Sequence, residues 1–244
     1  MGTDDQPFDD NPVNASFLIA SSLPSTITFP PATPATAPSR SISVHVHPSP
    51  IPVSYSVVRE TVPAILKDFA HSHAGRYPDI IIHMGIAPSR EYYSVETQAH
   101  RDLYLLADVD GQSGAEDGEV WREKELPELL KPGPTTPSAA IAASITATSL
   151  KMVAYPPNDH FLSTWKSFIP PNTDVRISDE AGRYLCEFIF YTTMSQLLSE
   201  GRDRNVVFFH VPDSCEDGDV KLGVEAAIAL IKTLVTCWVD EAKT

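Results

Sequence analysis

Short apolar runs bounded by Gly, Pro and Asp alternate along this chain with longer stretches in which apolar residues recur every three or four positions, the pattern of strands interleaved with helices. Asp79 to Met84 (DIIIHM), Asn172 to Ile177 and Arg204 to Pro212 (RNVVFFHVP) read as strands. The last is apolar enough to be buried on both faces of a parallel sheet. Helices are predicted from Ser16 (SFLIASSL), over Ser54 to His71, over Thr136 to Met152, from about 180 to 200, and over Val220 to Asp240. The second carries Val58, Val62, Ile65, Leu66 and Phe69 on one face, with Pro63 as its weak point. Ile42 to Val53 alternates like a strand. Three stretches lack a period: the Pro, Thr and Ala-rich insertion at 25–41, the polar loop at 108–137, and AYPPNDHFLSTWKSFIPP, read as irregular. The expectation is a single domain over residues 1–244 of the α/β class, a three-layer α/β/α sandwich around a mixed, mainly parallel sheet.

Composition narrows the class. At 244 residues and 42% hydrophobic content the chain can bury one substantial core. No run approaches the ~20 apolar residues of a membrane span. The start, MGTDDQPFDDNP, has neither the basic end nor the apolar run of a signal peptide, so a soluble, cytoplasmic protein is expected. A formal net charge of −14 disfavours nucleic acid and anionic membranes as partners. Cys186, Cys215 and Cys237 form neither a disulfide framework nor a zinc spacing, and His45 and His47 lack a third ligand. No metal and no cofactor are expected.

The candidate chemistry centres on ISDEAGRYLCEFIFY. Ser178 or Asp179 can cap a helix, and Cys186 falls in its first turns, where the helix dipole can lower a thiol pKa from its free value of ~8.5. A lone cysteine is more commonly a small core residue. His210, near the end of a strand, is placed to act as a general base. Glu96, beyond the loop that follows DIIIHM, is suited to orient the second nitrogen of that imidazole, with Glu91 as its rival.

The run GIAPSR with the following VETQAH, the AGRYLCEFIFY helix and the strand FFHVP, in that order, resemble the pyroglutamyl peptidase I family of cysteine peptidases over nearly the whole chain. The resemblance implies a phosphorylase/hydrolase-like fold, with Cys186, His210 and Glu96 as the catalytic residues. It implies peptides with an amino-terminal pyroglutamate as partners, and Phe8, Asn14 and Tyr184 as substrate-binding residues. Oligomeric state is left open. Two departures stand out. The family enters its amino-terminal motif from an apolar strand, whereas only Met1 to Gln6 precede Pro7 here, so the first strand is expected to be lacking. The family's arginine shortly after the glutamate is absent from YLLADV. The alternative is therefore a catalytically inactive or truncated relative that binds peptides or proteins.

Overall fold

A computed structural model describes residues 14–29, 39–135 and 155–240. The run VVFFHV forms a strand, Val206–Val211 (β8), buried at every position. Its neighbours are Ile81–Ile86 (β3) on one side and Tyr93–Glu96 (β4) on the other, and Val175–Ser178 (β7) lies beyond β4. The β3–β8 and β4–β7 pairs are parallel and the β4–β8 pair between them is antiparallel, so the sheet is mixed and mainly parallel. Two smaller antiparallel pairs lie outside it: Thr26–Phe29 (β1) with Arg40–Ser43 (β2), and Ala99–His100 (β5) with Leu129–Leu130 (β6).

Helices cover both faces of the sheet, as the alternation of β8 requires. Val207, Phe209 and Val211 pack into a core with Trp165 of Asp159–Phe168 (α4) and Leu230 of Asp217–Leu234 (α6), joined by Ile19 of Ala15–Ser21 (α1). Val206 and Phe208 face the opposite core, built from Phe188 of Leu185–Ser199 (α5), Val58 and Leu66 of Tyr55–Ser72 (α2), and Trp121 of Ala115–Glu123 (α3). Ser54 caps α2. The helix runs through Pro63, which is exposed, so water can take the carbonyl that the missing N–H leaves unpaired.

Several expectations change. The 108–137 loop contains α3 and β6, and the irregular stretch after Ala154 contains α4, capped by Asn158 and anchored by the buried Phe161 and Trp165. The start of the 25–41 insertion is β1, whereas the alternation over 42–53 yields strand only through Ser43. In both cases cross-strand pairing decided what local composition did not. The helix expected over Thr136–Met152 and the amino-terminal segment before Asn14 lie outside the described residues. The last helix is α6 extended by a π-helical turn, Val235–Asp240. Over Asp217–Val239 it is long and apolar enough, by composition alone, to cross a membrane, but most of it is buried between α1, α4 and the sheet. It therefore reads as a core helix.

The segment before α3 is tied to α2 by one carboxylate. Asp108, only 4% exposed, accepts hydrogen bonds from the backbone N–H of Tyr55 (2.8 Å), Asp110 (2.9 Å) and Gln112 (2.9 Å). Burial raises its pKa, but these bonds outweigh it and hold the carboxyl below its ordinary value. Asp108→Ala leaves those donors unpaired at the positive end of α2, and should cost about 2–3 kcal/mol in urea unfolding. A loss below about 0.5 kcal/mol would show that the carboxylate does not hold this segment.

Candidate active site

Three neighbouring strands place a row of residues side by side: Gly85 of β3 opposite His210 of β8, and His210 opposite Ser94 of β4. Register partners project to the same face of a sheet, and so does a residue two positions along. Glu96, two residues beyond Ser94, therefore shares the face of His210. Its Oε1 lies 2.8 Å from His210 Nδ1. Glu96 is fully buried and His210 is 4% exposed. A carboxylate only accepts, so Nδ1 carries the proton and Nε2 of the neutral ring keeps its lone pair, the form of a general base.

Glu96 has a second donor. Arg90, on the loop between β3 and β4, donates from Nη1 to the same Oε1 at 2.6 Å and to Ser94 Oγ at 2.6 Å, and from Nη2 to the Glu180 carbonyl at 2.8 Å. It thus joins the glutamate strand to the loop that leads into α5. Burial pushes the Glu96 carboxyl up, but the hydrogen bonds from His210 and Arg90, with the positive charge the imidazole carries when protonated, hold it below its ordinary value.

Cys186 is the second residue of α5. The sequence pattern predicts a helix from about 180, but the chain first turns at Gly182 (φ 83°), and the helix starts at Leu185. The sulfur sits over the bare backbone of β3. A Cβ on Gly85 would lie 3.2 Å from Cys186 Sγ and 2.8 Å from the Phe208 ring, whose own strand position shares the face of His210. The thiol is therefore on the imidazole's side of the sheet, above the residue paired with His210. The dipole does not set its pKa. Burial pushes the thiol up to about 12, helped by the Glu96 charge and opposed by Arg90 and a backbone hydrogen bond. Nor is α5 amphipathic: its buried residues face the sheet, α2 and the β5–β6 side.

A second buried carboxylate fixes the start of α5. Glu187, next to the cysteine and fully buried, takes hydrogen bonds from His100 N (3.0 Å), His100 Nδ1 (2.8 Å) and Arg183 Nη1 (2.7 and 2.9 Å). Neither Glu187 nor Arg90 stands out by composition. The available signal was position, Arg90 ending GIAPSR and Glu187 following Cys186.

No family model matches the sequence. Solved structures do. A pyrrolidone carboxyl peptidase from Thermococcus litoralis aligns at TM-score 0.60 and 17% identity over 91% of this chain and 86% of that one. The enzyme from Pyrococcus furiosus aligns at TM-score 0.59 and 19% identity, covering 94% of each chain, and a point mutant of it at TM-score 0.61 and 19% identity, again with 94% of each. The chain has the fold of the pyrrolidone carboxyl peptidases.

Within that fold the remaining candidates are dispersed. Tyr184 is the N-cap residue of α5, two positions before Cys186, and its hydroxyl donates to the Ala107 carbonyl at 3.1 Å. Asn14 caps α1, its Oδ1 accepting from Ser16 N (2.9 Å) and Ser16 Oγ (2.7 Å). Phe8 lies outside the described residues. Glu91 is exposed. His83 bonds Thr193 Oγ1 through Nε2, and burial lowers its pKa to about 4. Arg101, which follows the glutamate motif, is engaged by Asp102 and the Leu126 carbonyl. Among the described residues, no three His, Cys, Asp or Glu side chains converge as metal ligands.

Two measurements probe this site. Because the folded pKa of Glu96 lies below its ordinary value of 4.5, its pairing stabilises the fold above that value and the contribution is lost as pH falls through the folded pKa. Arg90→Met should therefore cost about 2 kcal/mol at pH 7, the scale of a charge-assisted hydrogen bond, and progressively less below pH 4.5. A cost independent of pH would place the arginine's contribution elsewhere. For Cys186 the shift is upward, so alkylation by iodoacetamide in the folded chain should keep rising through pH 10 and be slower at pH 9 than in the urea-unfolded chain. A plateau reached by pH 8.5 would contradict the burial.

Proposed function

We propose that this chain is a cysteine peptidase of the pyroglutamyl peptidase I family, removing an amino-terminal pyroglutamyl residue from peptides. The observation that carries the reading is the buried His210–Glu96 pair on the sheet face above which Cys186 Sγ is seated. The order of motifs along the chain and the shared fold support it.

In this reaction Cys186 Sγ attacks the carbonyl of the pyroglutamyl residue while His210 Nε2 takes the thiol proton. Cys186 is half-buried and its thiol pKa is pushed up, so it does not wait as a thiolate and deprotonation accompanies attack. Glu96 keeps the ring in the required tautomer and stabilises the imidazolium as it forms. The first amides of α5 have no intrahelical acceptor and can donate to the developing oxyanion, the role left open by the arginine missing from YLLADV. The amide C–N bond then breaks, with His210 returning the proton to the departing amine. Water, deprotonated by the same imidazole, hydrolyses the thioester and frees pyroglutamate and the thiol. The pyroglutamyl group is a neutral lactam, and the net charge of −14 does not oppose its binding. None of the three cysteines is in a disulfide, in keeping with a reducing compartment such as the cytoplasm.

The high thiol pKa also favours a second reading, a non-catalytic relative that binds peptides. Release of a fluorogenic amine from a pyroglutamyl amide decides between them. The enzyme reading expects turnover that falls at least about 10³-fold in Cys186→Ala, and a normal solvent deuterium isotope effect on kcat/KM from the coupled proton transfer. Turnover retained by Cys186→Ala would remove the proposed nucleophile. Saturable peptide binding without turnover would establish the binding reading.

A further inference from the structure

The segment Leu103 to Val109, YLLADV with its preceding leucine, holds four large apolar side chains in solvent. Leu103 is 63% exposed, Leu105 67%, Leu106 63% and Val109 56%, whereas the other exposed large hydrophobic residues described lie between 36% and 44%. Soluble domains seldom present such a cluster without a use for it. The exposure is built in. Tyr104, between the leucines, is fully buried, with its hydroxyl on the His100 carbonyl and its own carbonyl taking the Gly114 N–H at 2.9 Å. Tyr55 donates to the Leu106 carbonyl at 3.1 Å, Val109 N to Val53 O at 3.2 Å, and Asp108 holds the turn that follows. Leu103 has φ 76°, a left-handed conformation that a leucine adopts only when its surroundings impose it.

The same segment abuts the candidate active site, because the Tyr184 hydroxyl donates to its Ala107 carbonyl from the cap of the nucleophile's helix. Extended peptide advances ~3.3–3.6 Å per residue, so two or three residues cover the length of the tyrosine side chain separating α5 from this loop. Resting on the pyroglutamyl peptidase reading, we propose that Leu103, Leu105, Leu106 and Val109 seat the side chains that follow the scissile bond, and that the preferred substrates are peptides with large apolar residues there. Asp110, exposed in the same turn, disfavours acidic ones. A second copy of the chain fits less well, since one seven-residue loop offers far less than the ~800 Å² per partner of a stable interface.

The test measures kcat/KM of the purified full chain for pyroglutamyl peptides with Leu, Phe, Gly or Asp after the pyroglutamyl residue, and for a small pyroglutamyl amide. The Leu/Gly ratio should be about tenfold or more, with Asp below Gly. The ratio should collapse toward one in the double variant Leu105→Ser/Leu106→Ser and fall in Leu106→Ser alone. A wild-type ratio near one, or a ratio unchanged in both variants, would overturn this inference while leaving the peptidase reading intact. No hydrolysis of any substrate, amide included, would overturn that reading and this inference with it. A dimer in sedimentation that the variants dissociate, with the ratio unchanged, would assign the leucines to self-association instead.

Discussion

A carboxylate without exposed surface has to be surrounded by donors, and Glu96 makes that demand at the centre of this molecule. Removing an ion from water costs several kcal/mol even after relaxation, so Glu96 is tolerable only because His210 and Arg90 converge on it. The antiparallel register of β4 on β8 makes this convergence possible, bringing Ser94 opposite His210 and Glu96 two positions along the same face. From that pairing follow the tautomer of the imidazole, the position of the β3–β4 loop and, through Arg90 on the Glu180 carbonyl, the path of the chain into the cysteine helix.

The thiol shows how two physical effects of opposite sign are resolved by size. A helix terminus is worth only roughly 0.3–1 kcal/mol to a nearby charge, and burial together with the Glu96 charge pushes the thiol the other way, up to about 12. Burial wins. In the proposed reaction the imidazole therefore takes the proton during attack. The buried Glu187, tying His100 and Arg183 together one residue from the cysteine, secures the helix start on which the geometry depends.

The strands at DIIIHM, Asn172 to Ile177 and VVFFHV, the helices that became α2, α5 and α6, and the grouping of Glu96, Cys186 and His210 as chemistry-bearing residues were legible in the residues themselves. Other features were not. Helix α4 hides behind prolines and polar residues, and only the burial of Phe161 and Trp165 against the sheet makes it a helix. Helix α3 owes its place to Trp121, which packs against Tyr104, Phe188 and Tyr191, contacts no local pattern reports. Leu103, Leu105 and Leu106 stay in solvent while Tyr104 is the residue that goes inside, a choice that the local pattern of apolar residues does not make.

The sequence by itself determined the alternation of elements and the residue types that carry the proposed chemistry, because periodicity and side-chain identity are local properties. Tertiary structure alone decided the upward shift of the thiol pKa, the pairing of Glu96 with both His210 and Arg90, and the exposure of the leucine loop. Each of these depends on which distant segments surround a group and on how much water they exclude, and both are set only when the sheet is assembled.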